Sequence, residues 1–167
     1  MHSKHNNQSE INLSILLEEL LKANIEFVLV GGLAAVIQGA PITTIDVDIV
    51  HNQTHDNISK LIVFLKSINA YYRRMDNKII KPKIDDISGK GHALFSTSLG
   101  PLDVLSTIEN DMNYHDLLTH SINVDFKGFF INVLDLKMLV ELKRTSKELK
   151  DKQRLPILEE VLKQNNS

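Results

Sequence analysis

Two short stretches decide the fold of this chain, FVLVGG at positions 27–32 and TTIDVDIV at positions 43–50. In the second stretch, two aspartates alternate with apolar residues, which predicts a strand over 45–50 with Asp46 and Asp48 on one face. Aspartate is disfavoured in strands, and two neighbouring carboxylates repel each other. A divalent cation such as Mg²⁺ would explain the pair, because hard cations select carboxylate oxygens. The alternative is an ordinary amphipathic strand with a solvated acidic face.

The glycine pair Gly31-Gly32 ends a buried strand predicted over 26–30 and leads into a helix predicted over 33–38. Glycines at such a turn let backbone N–H groups approach an anion closely, and a helix N-terminus adds a favourable dipole. The pair therefore indicates a phosphate site, although a tight strand-to-helix connection would also explain it.

Composition restricts the class of protein. The chain has 167 residues, 43% of them hydrophobic and 24% charged, which fits one soluble domain with a substantial core. The absence of cysteine excludes a disulfide framework, a thiol nucleophile and a thiolate zinc site. A net charge of −2 does not indicate a dedicated nucleic-acid binder. No signal peptide and no apolar stretch long enough to cross a bilayer is evident, so we expect a cytoplasmic protein.

The elements predicted along the chain form a single domain over 9–167, preceded by a disordered segment at 1–8. A core over 26–133 is followed by two C-terminal helices over 135–164, the first predicted to end near Arg144 and the second to begin near Ser146. Other strands are predicted over 92–97, 102–106, 122–126 and 129–133, and other helices over 9–24, 55–69 and 114–121. Strands and helices mix without strict alternation, which predicts an α+β fold with a mixed, twisted sheet flanked by helices.

A third acid is needed if Asp46 and Asp48 hold metal ions. Asp103 is the candidate, because it lies in the predicted strand Leu102-Asp103-Val104 and points away from the apolar face. It can share a site with the other two aspartates only if the two strands are neighbours in the sheet. Alone, Asp103 would be an ordinary residue at a strand end.

Val30-Gly31-Gly32, Asp46-Val47-Asp48 and Leu102-Asp103-Val104 occur in this order. The ordered set resembles the nucleotidyltransferase superfamily typified by DNA polymerase β. The segment 97–105 is similar to small bacterial members that are related to antitoxin and abortive-infection-type nucleotidyltransferases. The resemblance spans about 26–162.

The resemblance implies a nucleotidyltransferase fold and Mg²⁺-dependent transfer of a nucleoside monophosphate from an NTP to a hydroxyl. The acceptor would be a protein side chain or an RNA 3′ end, and a toxin–antitoxin partner protein is a further possible partner. Asp46, Asp48 and Asp103 would bind two Mg²⁺ ions, and Asp103 would also take the proton of the attacking hydroxyl.

The C-terminal helices carry positive charge that would suit a triphosphate. Between positions 137 and 154 there are seven basic and three acidic residues, which leaves a net charge of +4. Lys143 and Lys150 are the predicted phosphate contacts, against the alternative of a solvated helix face. Thr43 and Thr44 either hydrogen-bond phosphate or simply favour a strand.

Two features favour a rival interpretation. Many relatives place an arginine shortly before the threonine segment, whereas this chain has no basic residue at 40–44, and Gly32 replaces a serine. The rival is a catalytically inactive module that binds a nucleotide or a partner protein. A purely structural domain is the third possibility. Elsewhere, Arg73 either touches an acceptor or caps a sheet edge, and His51 is predicted to lie on the surface.

Overall fold

The computed structural model describes residues 3–166, and their side chains from residue 13 onward. Within this part of the chain, helices α1 to α7 span Ser3–Lys22, Gly31–Ile37, His55–Ser67, Ile84–Ile87, Tyr114–Leu118, Leu136–Arg144 and Leu149–Asn165. Strands β1 to β7 span Phe27–Val30, Val47–His51, Tyr71–Tyr72, His92–Ser96, Leu102–Leu105, Ser121–Phe126 and Phe129–Leu134. A 3₁₀-helix covers Glu109–Asp111.

The strands form one sheet in the order β3-β4-β5-β2-β1-β7-β6. The pairs β2–β5 and β1–β7 are parallel, and the remaining neighbours are antiparallel. This arrangement confirms the predicted α+β architecture with a mixed sheet. No helix in the described residues combines the length and apolarity needed to cross a bilayer.

The central strands are apolar because helices cover the sheet. All four residues of β1 are buried, and Val47, Ile49 and Leu102 are fully buried in β2 and β5. Such burial explains why these segments show nearly continuous apolar runs interrupted by aspartate. The aspartates are therefore the exceptional residues of the sheet centre.

Strand register sets the position of the acids. The parallel pairing of β2 with β5 puts Asp48 opposite Asp103, and the antiparallel pairing of β1 with β2 puts Val30 opposite Asp48. Because α2 begins directly after Val30, the glycine turn lies at the same end of the sheet as the acids. The requirement that two distant strands be neighbours is met.

Helix α1 and strand β2 begin at other residues than the sequence predicted. Helix α1 begins at Ser3 rather than Ser9, because no proline or glycine precedes Ser9 to stop it. Met1 and His2, which belong to the segment predicted to be disordered, lie outside the described residues. Strand β2 begins at Val47, so Asp46 precedes the strand instead of lying in it.

Two further predictions need correction. His51 is 1% exposed, since it ends β2 and its Nε2 lies 2.7 Å from the Ile87 carbonyl oxygen. Helix α7 begins at Leu149 rather than Ser146, and it continues through Pro156. The Ser146 hydroxyl donates a hydrogen bond to the Asp151 carboxylate. Such a local side-chain bond competes with helix formation, which explains why the connection before α7 is not helical.

Candidate active site

Three aspartates meet where β2 and β5 run side by side. Asp48 lies in β2, Asp46 directly precedes it, and Asp103 lies in β5. One carboxylate oxygen of each aspartate lies within 4.8 Å of the others. The predicted grouping of these three acids is therefore present in the folded chain.

Two of the three acids, Asp46 and Asp48, hold their protons more tightly than free aspartate does. Burial raises the pKa of Asp48 to about 8, and the nearby carboxylates of Asp103 and Asp46 act in the same direction. Burial and the negative charge of Asp103 also raise the pKa of Asp46. Three acids in one place disfavour full ionisation unless positive charge is supplied.

The donor set fits a divalent cation. Asp48 Oδ1 is buried and has no hydrogen-bond partner among the described residues. A buried oxygen without a partner is costly, and a bound cation would remove that cost. Carboxylate oxygens are also the ligands that Mg²⁺ selects. Asp46, Asp48 and Asp103 are accordingly suited to hold such an ion.

The glycine turn lies directly against Asp48. Gly31 has a φ of +72°, and a Cβ built on it would lie 2.1 Å from Asp48 Oδ2. A Cβ on Gly32 would lie 2.9 Å from the Thr44 Oγ1 atom. The glycines are therefore needed for close approach to the acid segment, a reason that sequence reasoning did not identify. Their predicted contact with phosphate stays a prediction.

A cleft of about 700 Å³ opens above the acids. One wall comes from the glycine turn, α6 and the start of α7, and it includes Lys143, Lys150 and Arg154. The opposite wall comes from β4, β5 and the 3₁₀-helix, and it includes Glu109 and Asp111. The lining thus combines three basic residues with Glu148 and Asp151 near α7 and with Glu109 and Asp111 near the 3₁₀-helix, around the three aspartates.

The basic residues of this wall differ in how they are engaged. The Lys143 ammonium donates to Asp151 Oδ1 at 2.8 Å, and both side chains are nearly buried. Although burial opposes it, this ion pair and the Ser146 hydroxyl hold the pKa of Asp151 below its ordinary value. Lys150 is exposed and lines the cleft, where its charge favours ionisation of Asp46 and Asp48. The predicted contacts of Lys143 and Lys150 with phosphate stay predictions.

Two arginines contact the site in ways that the sequence did not predict: Arg73 was left open between an acceptor contact and a sheet edge, and Arg154 was not singled out. Arg73 Nη2 donates to Asp103 Oδ1 at 2.8 Å and to the Phe95 carbonyl at 2.9 Å. Arg154 Nη2 donates to the Thr43 carbonyl at 2.5 Å. Both contacts join residues far apart in the chain, so only strand pairing and helix docking could place them.

The two threonines lie beside the site. Thr43 offers its carbonyl to Arg154, and the Thr44 hydroxyl donates to the Asp46 carbonyl at 3.4 Å. Thr44 also packs over Gly32. These contacts hold the segment that leads into Asp46 against the glycine turn, and a direct contact of either threonine with phosphate stays a prediction.

No protein-family model and no curated protein sequence matches this chain. Solved structures do share its fold. The lincosamide antibiotic adenylyltransferase LnuA, in a lincomycin-bound crystal structure, is 14% identical, with a TM-score of 0.59 over 91% of this chain and 97% of that one. TM1012 of Thermotoga maritima, a candidate nucleotidyltransferase, is 15% identical, with a TM-score of 0.53 over 89% and 91%.

These likenesses identify the architecture. The chain has the nucleotidyltransferase fold that the sequence predicted, and the match extends over nearly the whole of both chains. At 14–15% identity the likeness shows a shared fold. Activity depends on the residues of the cleft, because one fold can host many functions.

Proposed function

We propose that this protein is a Mg²⁺-dependent nucleotidyltransferase that transfers a nucleoside monophosphate from an NTP to a hydroxyl group. The observation that carries the proposal is the meeting of Asp46, Asp48 and Asp103 around a buried oxygen that lacks a partner. The acids lie in a cleft that Lys150 and Arg154 also line, and these positive charges suit a metal-bound triphosphate.

Asp46, Asp48 and Asp103 would hold two Mg²⁺ ions. When bound, these ions would neutralise the carboxylates, orient the triphosphate and lower the pKa of the acceptor hydroxyl. Asp103 would take the proton of the attacking hydroxyl. The acceptor oxygen then forms a bond to the α-phosphorus, the bond from that phosphorus to the bridging oxygen breaks, and pyrophosphate leaves. Arg73 holds one oxygen of Asp103 and so fixes the direction of its carboxylate.

The acceptor would approach from the wall opposite the basic helices. That wall carries Glu109 and Asp111 together with the apolar side chains of Leu94 and Ile108. Acidic side chains repel an RNA backbone, so this wall favours a protein hydroxyl over an RNA 3′ end. Since LnuA was crystallised with lincomycin, small molecules with hydroxyl groups belong in an acceptor screen.

The alternative is a module that binds nucleotide or a partner protein, as in a toxin–antitoxin pair, without turnover. The presence of all three acids argues against it, because burial of unneeded carboxylates only destabilises the fold. Asp46→Asn separates the two functions: it should abolish transfer in an enzyme and leave partner binding intact in a module.

The first experiment is a thermal unfolding series with each NTP, with and without Mg²⁺. Ligand at 100 times its Kd should stabilise the protein by about 2.7 kcal/mol. The double variant Asp46→Asn/Asp48→Asn should lose the Mg²⁺-dependent part. Asp56→Asn is the matched control, because Asp56 is exposed on α3 away from the cleft. A wild-type protein that responds to no NTP would refute the proposal.

Turnover is tested next with NTP labelled on the α-phosphate. Transfer of label to a protein, an RNA or a small molecule identifies the acceptor class. An NTP that binds with Mg²⁺ and is never consumed with any of the three classes would favour the binding module.

A further inference from the structure

Arg154 occupies an unusual place for a residue of the C-terminal helix. Its Nη2 donates to the Thr43 carbonyl, and its Nη1 lies 3.2 Å from the position that a Cβ on Gly32 would take. The guanidinium therefore lies between the segment that leads into Asp46 and the glycine turn, on the wall of the cleft.

The contact with Thr43 uses only part of what the guanidinium offers. Arginine carries five N–H donors in a planar fork, and the Thr43 carbonyl accepts from one nitrogen. Within residues 13–166, Arg154 forms no ion pair with a carboxylate. The positive charge of Arg154 favours ionisation of Asp46 in the cleft. Donors and charge are thus available to an anion in the cleft.

Lys150 adds a second cation on the same face of α7. Residues four positions apart on a helix are neighbours, so Lys150 and Arg154 present their charges together. Lys150 also forms no ion pair among the described residues, and it lines the same cleft. By contrast, Lys143 is held by Asp151 in a nearly buried ion pair. Releasing Lys143 would leave an unpaired carboxylate behind, which is costly.

We propose that Arg154, with Lys150 beside it, binds the β- and γ-phosphates of the NTP, and that Lys143 remains paired with Asp151. A planar guanidinium matches phosphate oxygens with two parallel hydrogen bonds, which a lysine cannot provide. This inference rests on the proposed nucleotidyltransferase function and assigns the triphosphate end of the same cleft.

The test compares an NTP with its diphosphate and monophosphate. The nucleobase is that of the NTP that stabilises the wild-type protein most. Each of the three nucleotides is then titrated in the presence of Mg²⁺ while the thermal stability of the protein is measured. Arg154→Ala should weaken binding of the triphosphate about 10- to 100-fold, the range for loss of a charged hydrogen bond. The diphosphate should lose less, and the monophosphate should bind as it does to wild type. Lys152→Ala is the control, because Lys152 is an exposed cation on the same helix.

Arg154→Gln tests the positive charge. Glutamine keeps a polar side chain of intermediate length but removes the charge, so we expect it to lose triphosphate affinity as Arg154→Ala does. The urea midpoint of both variants reports whether the fold persists. If the Arg154→Ala protein does not fold, the Arg154→Gln protein carries the comparison.

Three results would overturn the proposal. One is unchanged affinity of both variants for the triphosphate. Another is an equal loss for the mono-, di- and triphosphate, which would mean that Arg154 only holds the Thr43 segment in place. In either case the wild-type protein still binds NTP, so the proposed function stands. If wild-type protein binds no NTP at all, both proposals fail together.

Discussion

Replacing Gly31 by alanine tests the close approach between the glycine turn and the acid site. Gly31 has a φ of +72°, and the added Cβ would lie 2.1 Å from Asp48 Oδ2 and 3.1 Å from the Asp48 Cβ. No atom pair can stay at the shorter distance, so either Asp48 or the turn must move. The substitution therefore strains the backbone and displaces a candidate metal ligand.

Two contributions set the loss of stability that we expect for Gly31→Ala. A left-handed backbone costs a residue with a side chain about 1–2 kcal/mol relative to glycine. Overpacking in a well-filled region costs about 1–3 kcal/mol more. We therefore expect Gly31→Ala to lower the free energy of unfolding by about 2–5 kcal/mol.

Gly39 offers a matched control. Its φ is +98°, and a Cβ on it would meet no atom within 4 Å. Gly39→Ala should therefore cost only the backbone contribution, about 1–2 kcal/mol. The difference between the two variants isolates the contact with Asp48.

Urea unfolding measures both variants, and Asp48→Ala completes a double-mutant cycle. Once the Asp48 carboxylate is removed, Gly31→Ala should cost about as much as Gly39→Ala, which gives a coupling of roughly 1–3 kcal/mol. Equal costs for the two glycine substitutions, or no coupling with Asp48, would show that the turn and the acid do not press on each other as the structure indicates.

Three further predictions concern the acids and two buried polar groups. Asp48 has a pKa of about 8 in the folded protein and an ordinary value of 3.8 unfolded, so without metal the free energy of unfolding should fall as the pH rises from 3.8 to about 8. Urea unfolding at several pH values measures this dependence, and Asp48→Asn should weaken it. An unchanged pH dependence in the variant would contradict the reasoning. Asn57→Ala should lower the free energy of unfolding by about 2–4 kcal/mol, because the buried Asn57 side chain forms hydrogen bonds with the Glu26 backbone at 2.7 and 2.9 Å and with the Asn52 carbonyl at 2.7 Å. A loss below about 1 kcal/mol would mean that water takes over these hydrogen bonds. Asp151→Asn should cost about 3 kcal/mol in urea unfolding, since it leaves the nearly buried Lys143 ammonium without its counter-charge, and an unaffected midpoint would show that Lys143 finds another partner.

The strand pattern carries most of the information about the fold. The apolar runs of β1, β2 and β5 predicted buried strands, and the mixture of strands with helices predicted the α+β class. Helix α6 was predictable at both ends, because Asp135 caps its first turn and basic residues complete its last. By contrast, the start of α1 was not, because polar residues alone do not stop a helix.

For the site, the sequence by itself determined which residues have the right chemistry. Asp46, Asp48 and Asp103 interrupt apolar strands, and a carboxylate in that context is costly enough to require an explanation. Alternation along a strand is local, so it can be recognised without knowledge of the fold. Alternation could not show that Asp103 would be the partner of Asp48, because the pairing of strands that lie far apart in the chain is set by packing.

Only the tertiary structure decided how charges pair around those acids. Parallel register brought Asp103 opposite Asp48, β4 and β5 brought Arg73 to Asp103, and docking of α7 brought Arg154 to Thr43. The same docking joined Lys143 to Asp151. Composition showed that the C-terminal helices are basic, but salt screens exposed charges that lie more than about 10 Å apart, so the role of each charge depends on where the folded chain places it.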